Sequence, residues 1–369
     1  MKRCNSCILI ETYPGIEFND KGQCTYCASH TRKQYHGEEV LRRILERQRS
    51  KNQPYDAVVG ISGGRDSAYV LHYLVRVAKM KVLGYFLDNG LVPDTAIQNL
   101  KNMTEALGVD MVVERNSMLK PCLKNNFEAW IKKPNLSFIM LTCTICNGGI
   151  EIGLRKTAKK RGISLVVTGA GGVEEAHFKN ALVHMGTHKQ RKNHLSLILG
   201  ILNDIFRNPT YCKKPPCLYA EGRTFLYQYL PWPIVQRVFY SGQTKIDFFD
   251  YIPFDEKEIH RVIETELNWH KMANVASPWR FDCKLAFLKN WMFMELFNFS
   301  EKDDLFSSMI REGLMTREQA LTRVVRDNVI PLEVVLDACK ASGLDFERIK
   351  KATHQLRMEL EANRKTKTV

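Results

Sequence analysis

The sequence predicts an α/β protein: a doubly wound parallel sheet, preceded by a small four-cysteine zinc element and followed by a mostly helical region. Three observations carry that expectation. Short β-branched runs at 56–60, 81–88, 110–114 and 163–168 alternate with stretches of helical periodicity, the rhythm of βαβ units. Two Cys-x-x-Cys pairs open the chain. Beyond about residue 180 the strand–helix rhythm fails, and amphipathic, aromatic-rich helical patterns replace it. The expected division is 1–36 for the four-cysteine element, 37–205 for the sheet and 206–369 for the helical region.

Cys4 and Cys7 are separated from Cys24 and Cys27 by sixteen residues that carry turn chemistry at Thr12–Gly15 and Asn19–Gly22. Two knuckles can therefore face each other, and four thiolates close a tetrahedral shell around Zn²⁺ with no open position for a substrate. A charged, helix-prone stretch at 37–51 ends at Asn52-Gln53-Pro54.

Next comes Asp56 to Ser67, an apolar run breaking into Ser62-Gly63-Gly64-Arg65-Asp66-Ser67, with helical spacing from Ala68 onward. A loop at a helix N-terminus faces free backbone N–H groups and partial positive charge, which suits phosphate. Gly63 and Gly64 let the main chain approach phosphate oxygens, and Ser62 and Ser67 add hydroxyls. A triphosphate is the natural guest. Asp66 would repel it unless Mg²⁺ intervenes, so a metal-linked or loop-orienting role is expected there. Arg65 keeps its charge and cannot give up a proton, which makes it a binding rather than an acid–base candidate. The loop lacks the glycine spacing and Lys-Ser/Thr ending of a Walker A motif.

Lys81 to Asp88 reads as the second strand, ending at Asp88-Asn89-Gly90. A helix at 93–107, a strand at 110–114, a helix around 150–161 and a strand at 163–168 continue the alternation. The ligand crevice of such a sheet lies at the strand C-termini, where Ser62, Asp88 and Gly169 all fall. Gly169 to Gly172 can approach a nucleotide closely. Glu174 and Glu175 are candidates for holding Mg²⁺, with a solvated acidic pair as the plainer reading.

Cys143-x-x-Cys146 is a further metal-type pair. A closed zinc site would need thiolates from elsewhere, such as Cys122, Cys212, Cys217 or Cys283. Three thiolates leaving one iron open would suit a [4Fe–4S] cluster. A redox or persulfide-carrying dithiol, or simple packing, fits the pair as well.

In the C-terminal region, helices are expected at 256–271 and from Ser277 to about Leu296. The remainder, 303–362, is nearly all helical, with a capping box at Thr316-Arg317-Glu318-Gln319. Aromatic residues there read as core. No apolar run approaches the roughly 20 residues of a membrane helix; Leu195–Ile205 is interrupted by Gly200 and Asn203. Met1-Lys2-Arg3-Cys4 does not open a signal peptide, so a cytoplasmic protein with reduced thiols is expected. The eleven cysteines then read as metal or redox groups. The net charge of +14, with clusters at 188–192 and 364–367, permits RNA, suits an anionic nucleotide sugar equally, and fits a merely solvated surface.

The Ser62–Ser67 loop resembles the S-G-G-x-D-S loop of the PP-loop ATP pyrophosphatases, which cleave ATP to AMP and pyrophosphate to adenylate a substrate oxygen. That resemblance implies a HUP-type sheet and makes Leu87, Asp88 and Asn89 nucleotide candidates. The wider order is similar to the N-acetyl sugar amidotransferases of surface-polysaccharide assembly: Cys-x-x-Cys pairs flanking Tyr13-Pro14-Gly15-Ile16-Glu17-Phe18, the loop, then Asp282-Cys283 and Gly313 to Leu321. It implies adenylation of the acetamido oxygen of a nucleotide-linked sugar, then displacement of AMP by ammonia from a glutaminase partner. Cys143-x-x-Cys146 departs from that pattern and resembles the iron–sulfur tRNA thiolases. That implies an alternative in which Cys143, Cys146 and Cys212 or Cys217 hold a cluster, sulfur replaces the activated oxygen, and tRNA is a partner.

Overall fold

A computed structural model describes the chain except residues 50–51, 174–177, 183–201, 204, 230–233, 235–237 and 368–369. Glu174, Glu175, the basic cluster at 188–192 and most of the apolar run at 195–205 thus lie outside the described residues.

Five strands form one wholly parallel sheet: β1 (Ala57–Gly60), β2 (Val82–Asp88), β3 (Asp110–Arg115), β4 (Leu165–Thr168) and β5 (Thr244–Asp247), in the order β3-β2-β1-β4-β5. Ala57 lies opposite both Val82 and Leu165, so β1 is central. Its Ala57, Val58 and Val59 are fully buried, as are Leu165, Val166 and Val167. Such two-sided burial is why these runs read as continuous apolar stretches rather than alternations. The chain order reverses between β1 and β4, and a ligand crevice opens beyond their C-termini.

The helices expected between strands are present at Glu38–Gln48, Arg65–His72, Asp94–Leu107 and Thr144–Lys160. Two differ from expectation. The helix after the loop widens into a π-turn at Tyr73–Val77, where buried Tyr73 packs on Phe248 with centroids 5.0 Å apart and its hydroxyl donates to Glu38 at 2.9 Å. The helix placed near 150 begins at Thr144 instead, so Cys143 is its N-cap and Cys146 lies in its first turn.

The strand–helix alternation also resumes once beyond residue 205, because β5 pairs with β4 from Leu165–Thr244 to Thr168–Asp247. Four residues with one fully buried side chain, Ile246, are too short to show periodicity.

Helices Glu256–Leu267, Lys284–Phe297, Glu301–Arg311, Arg317–Asp327, Leu332–Ser342 and Phe346–Lys367 build the C-terminal region. The expected capping box is present: the Gln319 N–H donates to the Thr316 hydroxyl at 3.2 Å, and the Thr316 N–H donates to the Gln319 side chain at 3.0 Å. Lys284–Phe297 buries Leu285, Leu288, Met292, Phe293 and Phe297, an apolar girth that places it in the core. The segment before it, Pro278 to Asp282, is a non-helical strap rather than the helix opening expected from Ser277. The N-terminal element docks on this region. Arg317 donates through Nε to the Cys7 carbonyl at 3.0 Å and through Nη2 to that of Cys4 at 3.1 Å. Tyr13 packs on Phe178 and Phe299, with centroids 5.7 and 5.0 Å away.

Candidate active site

The residues from Ser62 to Ser67 turn sharply between β1 and the helix at Arg65. Gly63 sits at φ +78°, and a Cβ there would meet the Ala96 carbonyl oxygen at 2.1 Å, so no side chain fits. The Gly63 carbonyl accepts from Trp269 Nε1 at 3.0 Å and Asn99 Nδ2 at 3.2 Å, which pegs the turn. Within the loop the Gly64 N–H donates to Ser62 Oγ and the Ser62 N–H to Ser67 Oγ, both at 3.2 Å. The serine oxygens therefore rest on the backbone donors that an incoming phosphate would take.

Arg65 is nearly fully buried, and its guanidinium is bound to two carboxylates: Nε meets Asp66 and Nη1 meets Glu256, each at 2.8 Å. It also lies 4.8 Å above the Phe254 ring. Glu256 in turn is held by Arg323 at 2.5 Å, so the loop is linked through charges to the helix Arg317–Asp327. Burial pushes the Glu256 carboxyl up, but Arg323 and Arg65 outweigh it and hold it below the usual range.

The loop floors a cavity of about 470 Å³, within the size range of small-molecule sites. Ser62, Gly64, Arg65, Asp66, Ser67, Leu87, Asn89 and Gly169 line it, whereas Gly63 and Asp88 do not. Asp88 is turned away, its Oδ1 accepting from the Gly90 N–H at 2.8 Å. Gly169 packs so closely on the loop that a Cβ would lie 3.4 Å from the Ser67 nitrogen.

The opposite wall comes from the strap and the helix after it: Trp279, Arg280, Asp282, Cys283 and Lys289. Asp282 reaches the loop itself. A Cβ on Gly64 would meet its Oδ2 at 2.7 Å, and it accepts from the Ser62 hydroxyl. Burial raises its carboxyl above the usual range, partly offset by that hydrogen bond and by Arg280. The spacing of the sequence gives no sign that Asp282 overlies the loop.

The same cavity holds three sulfurs, from Cys143, Cys146 and Cys283. Asn89 Nδ2 donates to Cys146 at 3.4 Å and to Cys283 at 3.7 Å, and Lys289 Nζ lies 3.8 Å from Cys143. Burial pushes the Cys146 thiol up to about 11 and that of Cys283 to about 12. Lys289 is buried beside Glu301 at 3.0 Å; burial lowers it, but Cys143 and Glu301 together hold it above the ordinary lysine value.

Of the cysteines considered beside Cys143 and Cys146, Cys283 lines the cavity and Cys212 and Cys217 do not. Cys212 lies in the turn Pro209–Lys213 and Cys217 contacts Cys122; neither lines the cavity. Cys283, one of the four cysteines considered, is brought there by the path of the strap.

The four N-terminal thiols converge as expected, with all sulfurs within 4.8 Å of one another. Cys4–Cys27 and Cys7–Cys24 are 4.0 and 3.8 Å apart. A tetrahedral shell with metal–sulfur bonds of about 2.3 Å requires edges of about 3.8 Å, so the set fits Zn²⁺. The N–H groups of Ser6, Cys7 and Cys24 donate to Cys4 Sγ at 3.4, 3.4 and 3.2 Å, as around a ligating thiolate. Among the described residues no helix is long and apolar enough to cross a membrane.

Residues 277–361 match the family model described as LPS biosynthesis protein WbpG-like, C-terminal domain. The strap and helix that wall the cavity fall inside that match. A GMP synthase [glutamine-hydrolyzing] of Pyrobaculum aerophilum is 31% identical over 75 residues, 20% of this chain and 15% of that protein, so the chain matches a small part of its length. Three solved structures are similar at low scores. The U34-tRNA thiolase NcsA from Methanococcus maripaludis with its [4Fe-4S] cluster has TM-score 0.35 and 14% identity, over 93% of this chain and 89% of that one. NMN synthetase from Francisella tularensis has TM-score 0.29 and 12% identity, over 50% and 92%. NH3-dependent NAD synthetase from Campylobacter jejuni subsp. jejuni has TM-score 0.28 and 13% identity, over 53% and 95%.

Proposed function

We propose that, with a C-terminal region matching a lipopolysaccharide-biosynthesis family, the chain is an ATP-dependent amidotransferase acting on a nucleotide-linked N-acetyl sugar. The carrying observation is that one cavity is floored by the Ser62–Ser67 loop and walled by residues of that matched region. ATP binds with its phosphates on the loop N–H groups and the Ser62 and Ser67 hydroxyls. Asp66 and Asp282 are the residues that would hold Mg²⁺, which would relieve the repulsion between their carboxylates and the phosphates. Leu87 and Gly169 border the adenosine, and Asn89 the reacting end. The acetamido oxygen attacks the α-phosphorus and pyrophosphate leaves, its charge met by the loop donors and Arg280. Ammonia then replaces AMP to leave an acetamidino group. A glutaminase subunit supplies the ammonia, in keeping with the similarity to a glutamine-hydrolysing synthase. Cys4, Cys7, Cys24 and Cys27 hold structural zinc.

The test is product analysis with ATP, Mg²⁺, ammonium chloride and a panel of UDP-linked N-acetyl sugars. AMP, pyrophosphate and an amidine in equal amounts are expected; ADP with phosphate would refute the reading.

A second reading is favoured by the three thiols in the cavity: Cys143, Cys146 and Cys283 would hold a [4Fe–4S] cluster or a persulfide that supplies sulfur to the carbon bearing the adenylated oxygen, AMP leaving with that oxygen, with tRNA as an acceptor. Three to four irons with matching sulfide on protein purified without oxygen would put this reading first.

A further inference from the structure

The nitrogen-transfer reading leaves three cavity thiols without a task, and they are not equivalent. Cys146 and Cys283 share the Asn89 amide. Cys143 instead caps the helix Thr144–Lys160, where the N-terminal partial charge is positive, and has the Lys289 ammonium 3.8 Å from its sulfur. Glu301 does not cancel that ammonium outright, because its carboxylate also faces Arg280 at 3.2 Å. Lys289, one of two cations facing that carboxylate, thus lies beside the Cys143 sulfur. Positive potential of this kind marks cysteines that act as nucleophiles.

We propose that Cys143 is a covalent nucleophile in the transfer, displacing AMP from the activated carbon and passing that carbon to ammonia as a thioimidate. This rests on the adenylation reading of the Ser62–Ser67 loop. The O-adenylated imidate carbon accepts the electron pair of the Cys143 thiolate and an S–C bond forms. The C–O bond to AMP breaks, and its electron pair leaves on AMP. Ammonia adds to the same carbon, one of its protons passes to the departing sulfur, and the C–S bond breaks with its pair on Sγ. The product is the amidinium, and the thiol returns its proton to solvent. No oxidant or reductant is needed.

The relay separates two events that would otherwise crowd one carbon. AMP and pyrophosphate leave the loop while the sugar stays tethered, and ammonia need not arrive before water reaches a labile adenylate. Lys289 is the positioning residue, neutralising sulfur as it attacks and as it leaves. Asn89, bound to the other two thiols, holds that wall in place.

Two measurements decide it. Peptide mapping after limited iodoacetamide treatment at pH 7 should show Cys143 labelled at least roughly tenfold faster than Cys146 or Cys283. Mg²⁺–ATP should slow that labelling, and Lys289→Met should slow it roughly tenfold at Cys143 alone. Equal labelling of the three, protection of all three as a bound cluster would give, or indifference to Lys289→Met would overturn the proposal. Second, wild-type protein given ATP, Mg²⁺ and UDP-N-acetylglucosamine without ammonia should carry the sugar on the Cys143 peptide, discharged as amidine when ammonium chloride is added. Cys143→Ala should form neither adduct nor amidine, while Cys212→Ala, outside the cavity, behaves as wild type. Amidine formation by Cys143→Ala would sink the relay. Absence of acceptor-dependent AMP in the wild type would overturn the adenylation reading and the relay with it, whereas AMP release without a Cys143 adduct would overturn the relay alone.

Discussion

Gly63→Ala is the sharpest probe of the loop. The alanine Cβ would sit 2.1 Å from the Ala96 carbonyl oxygen, and 2.8 Å from its carbon. Ordinary carbon–oxygen contacts are about 3.3 Å or longer, so something must move by about 1 Å. Neither side yields easily: Ala96 is fully buried in the helix Asp94–Leu107, and the Gly63 carbonyl is held by Trp269 and Asn99. Left-handed backbone costs an L-residue about 1–2 kcal/mol, and each weakened hydrogen bond about 1 kcal/mol. The expected destabilisation is about 2–4 kcal/mol in sum. A loop displaced by about 1 Å should lower AMP formation by about a hundredfold. Gly222→Ala is the control: it lies in the helix Pro215–Tyr229 with nothing within 4 Å of its Cβ, and should gain about 0.5–1 kcal/mol with activity unchanged. The assays are thermal unfolding, ATP binding by calorimetry and AMP release. Native-like ATP affinity in Gly63→Ala would refute the assignment of this turn as the phosphate cradle.

Other substitutions test the rest. Cys24→Ser should remove about one zinc per chain and lower the unfolding midpoint together; full zinc retention would show that the four thiols do not ligate. Glu256→Gln strips Arg65 and Arg323 of a shared carboxylate, and a loss of about 1–3 kcal/mol is expected. It should also reduce AMP formation, since Arg65 loses one of the two carboxylates that hold it beside the loop; an unchanged midpoint would mean the network is idle. Glu221 gives a pH signature. Burial outweighs the Asn126 hydrogen bond and raises its carboxyl to about 7. The folded value lies above the unfolded one, so its stabilising share is whole below about pH 4.3 and is lost as pH rises to about 7. Glu221→Gln should therefore gain on the wild type by on the order of 1–3 kcal/mol between those limits. Parallel stability curves would refute it.

What was legible in the sequence was what is local. The Ser62–Ser67 turn, its helix and the Thr316 capping box each depend on residues within a few positions. The two Cys-x-x-Cys knuckles sit close enough in sequence to declare their meeting. The far wall of the cavity was not legible, because Asp282 and Cys283 reach it through a strap whose Pro-Trp-Arg-Phe run resembles a helix start. Leu87 and Asn89 line the cavity, whereas the neighbouring Asp88 turns outward to Gly90; strand alternation sends adjacent side chains to opposite faces. β5 was missed for want of length, since four residues with one buried side chain carry no period.

The cavity's two walls also have an order in time. During synthesis the Ser62–Ser67 loop emerges early, but the sheet lacks its last strand until Asp247, and the cavity lacks Asp282, Cys283 and Lys289 until the helix Lys284–Phe297 has left the ribosome. A nascent or truncated chain therefore carries an open half-cradle, with Gly63 lacking its Trp269 peg. The complete cavity therefore forms only once Lys289, more than two hundred residues after Ser62, has joined the loop.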